Sequence, residues 1–198
     1  HLHRGTPYIY QGEELGMTNY PFASLEQVVD IEGINFAREA RAKGHTDAEI
    51  LAGIRAHGRD NARTPMQWDA GGQAGFTTGT PWLPVNPNHS TINAADQVDD
   101  PDSVFTHYQR LIQLRNDDPV VALGEFTMLL DDHPQVYAFT RRLDDTELLV
   151  MVNVSSSDAD APLDDADVWS DADVMLGEPY QPTMAPWEQR VLRRAVDG

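Results

Sequence analysis

The sequence predicts two parts of different class, an α/β segment over residues 1–118 followed by a small all-β domain over residues 119–198. Three observations predict it. Two helical patterns with capping signals lie in the first sixty residues. A third starts at Asp100. Beyond Pro119 the period changes to short apolar runs separated by Asp/Pro/Gly-rich turns, as in an antiparallel sheet.

The elements follow in order. Within TPYIYQGEELG, Tyr8 to Tyr10 reads as a short buried strand that breaks into an acidic loop at Gln11 to Gly16. After the turn signals Asn19, Tyr20 and Pro21, Ser24 and Gln27 fit a capping box. A helix is therefore expected from Ser24 to Lys43, ended by Gly44 and bent or broken at Gly33. Thr46 and Glu49 form a second box, whose helix carries Ile50, Leu51 and Ile54 on one face and stops at Gly58. From Arg59 to about Asp99 there is little periodicity and much Gly, Pro, Asn and Thr; a structureless stretch of this length inside a compact domain is usually either functional or misread. Asp100, Pro101 and Asp102 start the next helix, with Pro101 at its first position. Val104, Phe105, Tyr108, Leu111, Ile112 and Arg115 follow at helical spacing until Asp117, Asp118 and Pro119 end it. The strands are expected in EFTMLL, QVYAFTRRL, ELLVMVNVS, DVML and WEQRVLRRA. DDHPQ and LDDTE read as hairpin connections, and SSSDADAPLDDADVWSDADV as an acidic excursion on the surface.

Composition narrows the function. Fourteen Lys and Arg against 32 Asp and Glu give a net charge of -18, which repels polyanions and argues against nucleic acid and anionic membrane as partners. Lys43 is the single lysine, so arginine supplies nearly every fixed cation. With no cysteine there is neither a disulfide framework nor thiolate chemistry. No apolar run approaches the ~20 residues that span a bilayer, and the first residues lack the order of a signal peptide. A cytoplasmic location is expected.

Most cofactor and catalytic signatures are missing. There is no G-x-G-x-x-G after a strand, no G-K-[ST], no H-E-x-x-H among the seven histidines and no G-x-S-x-G. No cofactor and no metal is expected. What remains is carboxylate and guanidinium chemistry at Glu13, Glu14, Glu32, Arg59, Asp60, Arg63 and Asp69. Arginine presents a planar fork of donors and carboxylates accept in pairs, so loops rich in both can grip the vicinal hydroxyls of a sugar. The alternative is that Asp60 and Arg63 only lock a long loop through ion pairs; the residues alone leave both open.

Three blocks carry a resemblance. GTPYIYQGEELGMTN (Gly5 to Asn19), GRDNARTPMQWD (Gly58 to Asp69) and FTTGTPWLPVNPN (Phe76 to Asn88) resemble, in order and spacing, the oligo-1,6-glucosidase and α-glucosidase branch of glycoside hydrolase family thirteen. The resemblance implies the C-terminal part of a (β/α)8 TIM barrel followed by a small antiparallel β-sandwich, with chemistry at the C-terminal ends of the barrel strands. Pro7 to Gln11 would be the last barrel strand, Gly12 to Asp99 the long loop after it, and the helix from Asp100 the closing barrel helix. The upstream part of the same barrel is then a partner of this chain.

Residue by residue, the resemblance places Arg59 on the sugar of the innermost subsite, together with an upstream aspartate. Glu32 lines the next subsite, facing the aglycone. Asp60, Arg63, Gln67 and Trp68 brace the loop, Trp68 as a packing anchor and Arg63 through local pairing. Glu13 and Glu14 support the pocket floor. The implied substrate is an α-linked gluco-oligosaccharide or disaccharide.

A retaining glycosidase needs a nucleophilic carboxylate and an acid about 5 to 5.5 Å apart. The family takes both from earlier strands, and none of their motifs occurs here, so the chain by itself is expected to be inactive. Sucrose isomerase, trehalulose synthase, trehalose-6-phosphate hydrolase and dextran glucosidase resemble the same blocks, and fold alone does not separate them. A non-catalytic barrel-plus-sandwich subunit is a rival of another class. A sugar-binding role for the β tail is a third reading. Its aromatics Phe126, Tyr137, Phe139, Trp169, Tyr180 and Trp187 are spaced as core residues instead.

Overall fold

The computed structural model describes residues 1–196, which form two compact units, residues 8–109 and residues 1–7 with those from Arg110 onward.

In the first unit, α1 (Ile31–Ala42) and α2 (Asp47–His57) form an αα-hairpin packed through Ala37, Ala40, Ile50 and Ile54, with Val28 beside them. α2 begins as expected: the Thr46 hydroxyl accepts from the Glu49 amide at 3.3 Å while Glu49 accepts from the Thr46 amide at 2.8 Å. α1 corrects the sequence reading. It starts at Ile31 rather than Ser24, because the Ser24 side chain caps nothing and Gln27 instead accepts from the Ala23 amide, closing a single 3-10 turn over Leu25–Gln27. Asp30 is the true cap, accepting from the Gly33 amide at 3.3 Å, so Gly33 sits in the first turn and breaks nothing.

The stretch from Arg59 onward is built of 3-10 turns, Arg59–Arg63, Gly72–Gly75 and Pro87–Ser90, and the short α3 (Ala94–Gln97). Helix α4 (Val104–Asp117) begins later than the Asp100–Pro101 signal suggested. The Ser103 hydroxyl accepts from the Thr106 amide at 3.1 Å and takes over the capping, while Pro101 lies in the preceding turn. Tyr8 to Tyr10 is also corrected. It is irregular chain, not a strand, and Tyr8 is 90% exposed. A strand needs a neighbour's backbone groups, and no strand of the described residues pairs with it.

The second unit opens its sheet after α5 (Pro119–Leu123). β1 (Glu125–Leu129), β2 (Val136–Leu143), β3 (Thr146–Asn153), β5 (Asp173–Gly177) and β7 (Gln189–Ala195) pair antiparallel in the order β1-β2-β3-β7-β5. A two-stranded ladder joins β4 (Ala159–Asp160) and β6 (Thr183–Met184). Both expected hairpins form, and Asp144 takes the left-handed conformation (φ 51°) at the second. Successive strand residues face opposite sides. Val136, Ala138, Leu149, Met151 and Leu192 therefore meet the β4–β6 layer, while Phe139, Leu148, Val150 and Val191 meet Val120, Val121, Leu111, Leu114 and Leu2. Burial on both sides is why β3 reads LLVMV without alternation.

The acidic excursion is the last correction. Ala159, Ala161, Leu163 and Trp169 within it are buried core residues, while its aspartates Asp158, Asp160, Asp164, Asp165, Asp167, Asp171 and Asp173 face solvent. Among the described residues no helix is long and apolar enough to cross a membrane.

Candidate functional site

The site begins at the C-terminus of α2. Gly58 follows it with ordinary dihedrals, yet a Cβ there would lie 2.6 Å from the Ile54 carbonyl oxygen, so only glycine lets the chain turn this tightly. The last carbonyls of the helix, which lack intrahelical donors, are taken up by side-chain amides. Asn61 donates to Arg55 at 3.0 Å, and Asn19 donates to Arg55 at 2.9 Å and Ala56 at 3.1 Å. The chain then winds into the Arg59–Arg63 turn, where a period of three brings Asp60 and Arg63 to one side.

Asp60 and Asp30 tie this turn to the start of α1 in both directions. Asp60, buried, accepts from the Val29 amide at 2.8 Å and the Asp30 amide at 2.9 Å. Asp30 answers with its side chain: Oδ1 accepts from Arg59 Nη2 at 2.8 Å and from Arg63 Nη1 at 2.8 Å, and Oδ2 caps the helix. Arg59 Nη1 also donates to Glu32 Oε1 at 2.8 Å. The two arginines of GRDNAR thus share one carboxylate oxygen. Their charge has an electrostatic consequence. The Arg59 guanidinium, then that of Arg63, holds the Asp30 carboxyl down at about 2, and Asp30 in turn pushes the Arg59 guanidinium up.

That depression sets a pH dependence. A carboxyl lowered by folding contributes stability fully present above its ordinary value near 3.9 and lost as pH falls through about 2. Carbon NMR of the labelled Asp30 carboxyl should keep its ionised shift as pH falls through ~3.9. A midpoint at that ordinary value would mean the arginine clamp is absent in solution.

Two cavities flank this clamp. One, of 400 Å³, is lined by Tyr10, Gln11, Glu13, Asn19, His57 and Arg59 among others. The other, of 290 Å³, lies between α1 and α2 against Glu32, Phe36, Gly53, Ile54, His57 and Arg59. His57, Gly58 and Arg59 belong to both. With its side chain 49% exposed, Arg59 keeps a face open to solvent. The Tyr10 hydroxyl donates to the Ala62 carbonyl at 2.6 Å and ties the Tyr8–Gln11 segment to the turn.

The remaining expected residues are placed as follows. Glu14 accepts from the Gly12 amide at 2.7 Å and so bends its own loop, and Glu13 lies 3.5 Å from the Tyr108 hydroxyl. Gln67 is fully buried, its amide donating to Asn88 and to the Ile92 carbonyl. The Trp68 ring is 51% exposed and anchors no core; its main chain, not its side chain, holds the loop, through the Ala74 carbonyl at 2.9 Å. Sequence reasoning missed Asp30, the hub of the arrangement, and Trp82, whose indole donates to the Arg63 carbonyl at 2.8 Å. The Asp-x-x-Gly spacing of Asp30 and Gly33 was the available signal for the first. The second had none.

Residues 1–124 match the alpha-amylase catalytic-domain family model. The chain is 53% identical over 160 residues to a glucan 1,6-alpha-glucosidase of Streptococcus pneumoniae, covering 81% of this chain and 30% of that protein. It is 46% identical over 181 residues to an oligo-1,6-glucosidase of Halalkalibacterium halodurans, covering 90% and 31%. In structure it is similar to a trehalose-6-phosphate hydrolase of Bacillus licheniformis, with TM-score 0.91, 38% identity and coverage of 99% of this chain and 37% of that one. The chain thus spans about a third of the length of these relatives.

Proposed function

The chain belongs to the alpha-amylase family, glycoside hydrolase family thirteen, and from that premise we propose that it is the C-terminal part of an exo-acting retaining α-glucosidase. The substrate is the non-reducing end of a short α-1,6- or α-1,4-linked oligosaccharide. Residues 1–118 complete a (β/α)8 barrel supplied by the upstream part of the protein, and residues 119–198 are a β-sandwich domain. The Pro7–Gln11 segment becomes the last barrel strand when its neighbour is present, which would cover the exposed Tyr8. Location in the cytoplasm follows from the same reading.

The single observation that carries the reading is Arg59. Its guanidinium is oriented by Asp30 and Glu32, half open, on the wall of the cavity that also holds Gln11 at the end of that segment. An arginine preset in this way spends no rotamer entropy on binding, so its free donors can meet the hydroxyls of a terminal glucose. Glu32 then faces the aglycone. The nucleophile and the acid come from the upstream strands: one carboxylate attacks the anomeric carbon as the other protonates the leaving oxygen, and water then releases glucose with retention.

A phosphorylated substrate is the second reading in the family, and a charge argument weighs against it. Among the described residues, Arg59 is the only arginine or lysine lining either cavity, facing Asp30, Glu32 and Glu13. A phosphate group would meet more anion than cation there.

The test is direct. The full-length protein carrying this chain, given isomaltose and maltose in turn, releases from at least one of them glucose that appears first as the α-anomer by proton NMR, while residues 1–198 alone release none. First appearance of the β-anomer, no release from either sugar by the full-length protein, or release by the isolated chain contradicts the reading.

A further inference from the structure

We propose that Trp82 is a positioning residue for this site: its indole holds the end of the Arg59–Arg63 turn and, through Arg63 and Asp30, sets where the Arg59 guanidinium points. The proposal rests on the glucosidase reading and names what keeps its key side chain in place.

The turn cannot close its own end. In a 3-10 helix each carbonyl accepts from the amide three residues on, so the Ala62 carbonyl would need a donor at position 65, and that residue is proline. Pro65 also pushes Thr64 into extended chain (φ -63°, ψ 151°), which ends the turn and leaves the Arg63 carbonyl without a helical partner. Two aromatic side chains supply the donors instead. The Tyr10 hydroxyl reaches the Ala62 carbonyl at 2.6 Å from 52 residues away, and the Trp82 indole reaches the Arg63 carbonyl at 2.8 Å from 19 residues away. Arg63 is thus held at both ends. Its main chain is fixed by Trp82, while its guanidinium donates to Asp30 Oδ1, the same oxygen that orients Arg59.

The loop that carries Trp82 keeps the ring still. Asp69 Oδ1 accepts from the Gly71 amide at 2.8 Å, and the Trp68 and Asp69 amides both donate to the Ala74 carbonyl, at 2.9 and 3.2 Å. These bonds hold three residues in a row left-handed, Gln73 and Ala74 at φ 51° and Gly75 at φ 64°, and at Gly75 a Cβ would collide with the Asp69 carboxylate. Strain of this kind persists only where the surroundings over-determine it, and it gathers where a chain must be aimed. What it aims here is Phe76. The Phe76 ring meets the Trp82 ring edge to face, with centroids 5.3 Å apart at 82°, while Pro81 stiffens the approach and Leu83 is buried just beyond.

Packing does not account for the indole. Its residue is 65% exposed, so the ring buries little surface in this unit, and its directed contact is the N–H donated to Arg63. Asp30 reports whether that contact reaches the site. Arg59 first and Arg63 second hold its carboxyl down at about 2, so an Arg63 that drifts away lets the carboxyl rise.

The experiment measures kcat and KM for p-nitrophenyl α-glucoside in the full-length protein, with the Asp30 carboxyl followed by carbon NMR. Trp82→Phe keeps an aromatic ring against Phe76 and loses the N–H. It raises KM about three- to tenfold, the scale of one hydrogen bond, with kcat within about twofold of wild type, and it moves the Asp30 midpoint up from about 2. Phe76→Leu keeps the N–H but frees the indole, and shifts both readings the same way by less. A Trp82 that only stabilises the loop would lower Tm and leave KM and the Asp30 midpoint at wild-type values. That outcome in folded Trp82→Phe, or in Phe76→Leu should the first variant not fold, overturns the proposal. Arg59→Lys separates the two readings: a raised KM there beside an unchanged Trp82→Phe sinks the positioning role alone, and an unchanged KM in both sinks the assignment of Arg59 to substrate.

Discussion

Asp30→Asn in the full-length protein lowers kcat/KM for α-glucosides by about 100-fold, the cost expected when a group on the substrate is displaced by about an ångström. Asparagine is as good a helix cap as aspartate, so α1 still begins at Ile31. It cannot hold two cations. One carbonyl oxygen would have to serve Arg59, Arg63 and the Gly33 amide, where the carboxylate now divides these between Oδ1 and Oδ2. Arg59 is left to the exposed Glu32, a pairing that solvent screens. A variant that keeps wild-type kcat/KM would show that Asp30 does not position Arg59 for substrate, and a loss of activity with matching loss of fold by circular dichroism would mark its role as structural.

The second large effect falls in the sheet unit. Arg141→Met lowers stability by about 3 kcal/mol, read from the urea midpoint, because a fully buried guanidinium binds the sheet to the segments beside it. Its Nε and Nη2 donate to the Gly124 carbonyl at 3.2 and 2.6 Å, and Nη1 donates to the Leu2 carbonyl at 2.7 Å. Burial pushes this guanidinium down from its ordinary value, and Arg115 adds to the shift. Methionine fills much of the space but leaves both carbonyls without their donors, and a buried acceptor left unpaired costs more than the bond was worth. An unchanged midpoint would mean that water replaces the arginine at little cost.

What could be read from residues alone was whatever local chemistry decides. The Thr46–Glu49 box, the Gly58 stop and the strands of the tail are set by neighbours within a few positions, and they appear where the pattern put them. Signals that compete were misread. Ser24 with Gln27 and Asp30 with Gly33 both fit a cap, and which one won depended on Asp60 holding the Asp30 backbone from thirty positions away. The excursion after β3 hid a period of two, since alanines at 159 and 161 carry little hydrophobic signal beside so many aspartates. Tyr8 to Tyr10 has strand composition without strand partners. In the candidate site, the family blocks pointed to Arg59 and Glu32. The joint anchoring of Arg59 and Arg63 by Asp30 was invisible because it spans 29 and 33 residues.

The central claim is that the Arg59 guanidinium grips the terminal glucose. Isothermal titration of the full-length protein with a glucose-mimicking iminosugar such as 1-deoxynojirimycin, for wild type and Arg59→Lys, tests it most directly. Lysine keeps the charge but cannot hold Asp30, Glu32 and a hydroxyl in one plane. The expected result is a Kd raised by about 10- to 100-fold, the value of one or more charge-assisted bonds, in a variant that melts within a few degrees of wild type. A Kd equal to wild type in a folded variant would contradict the account.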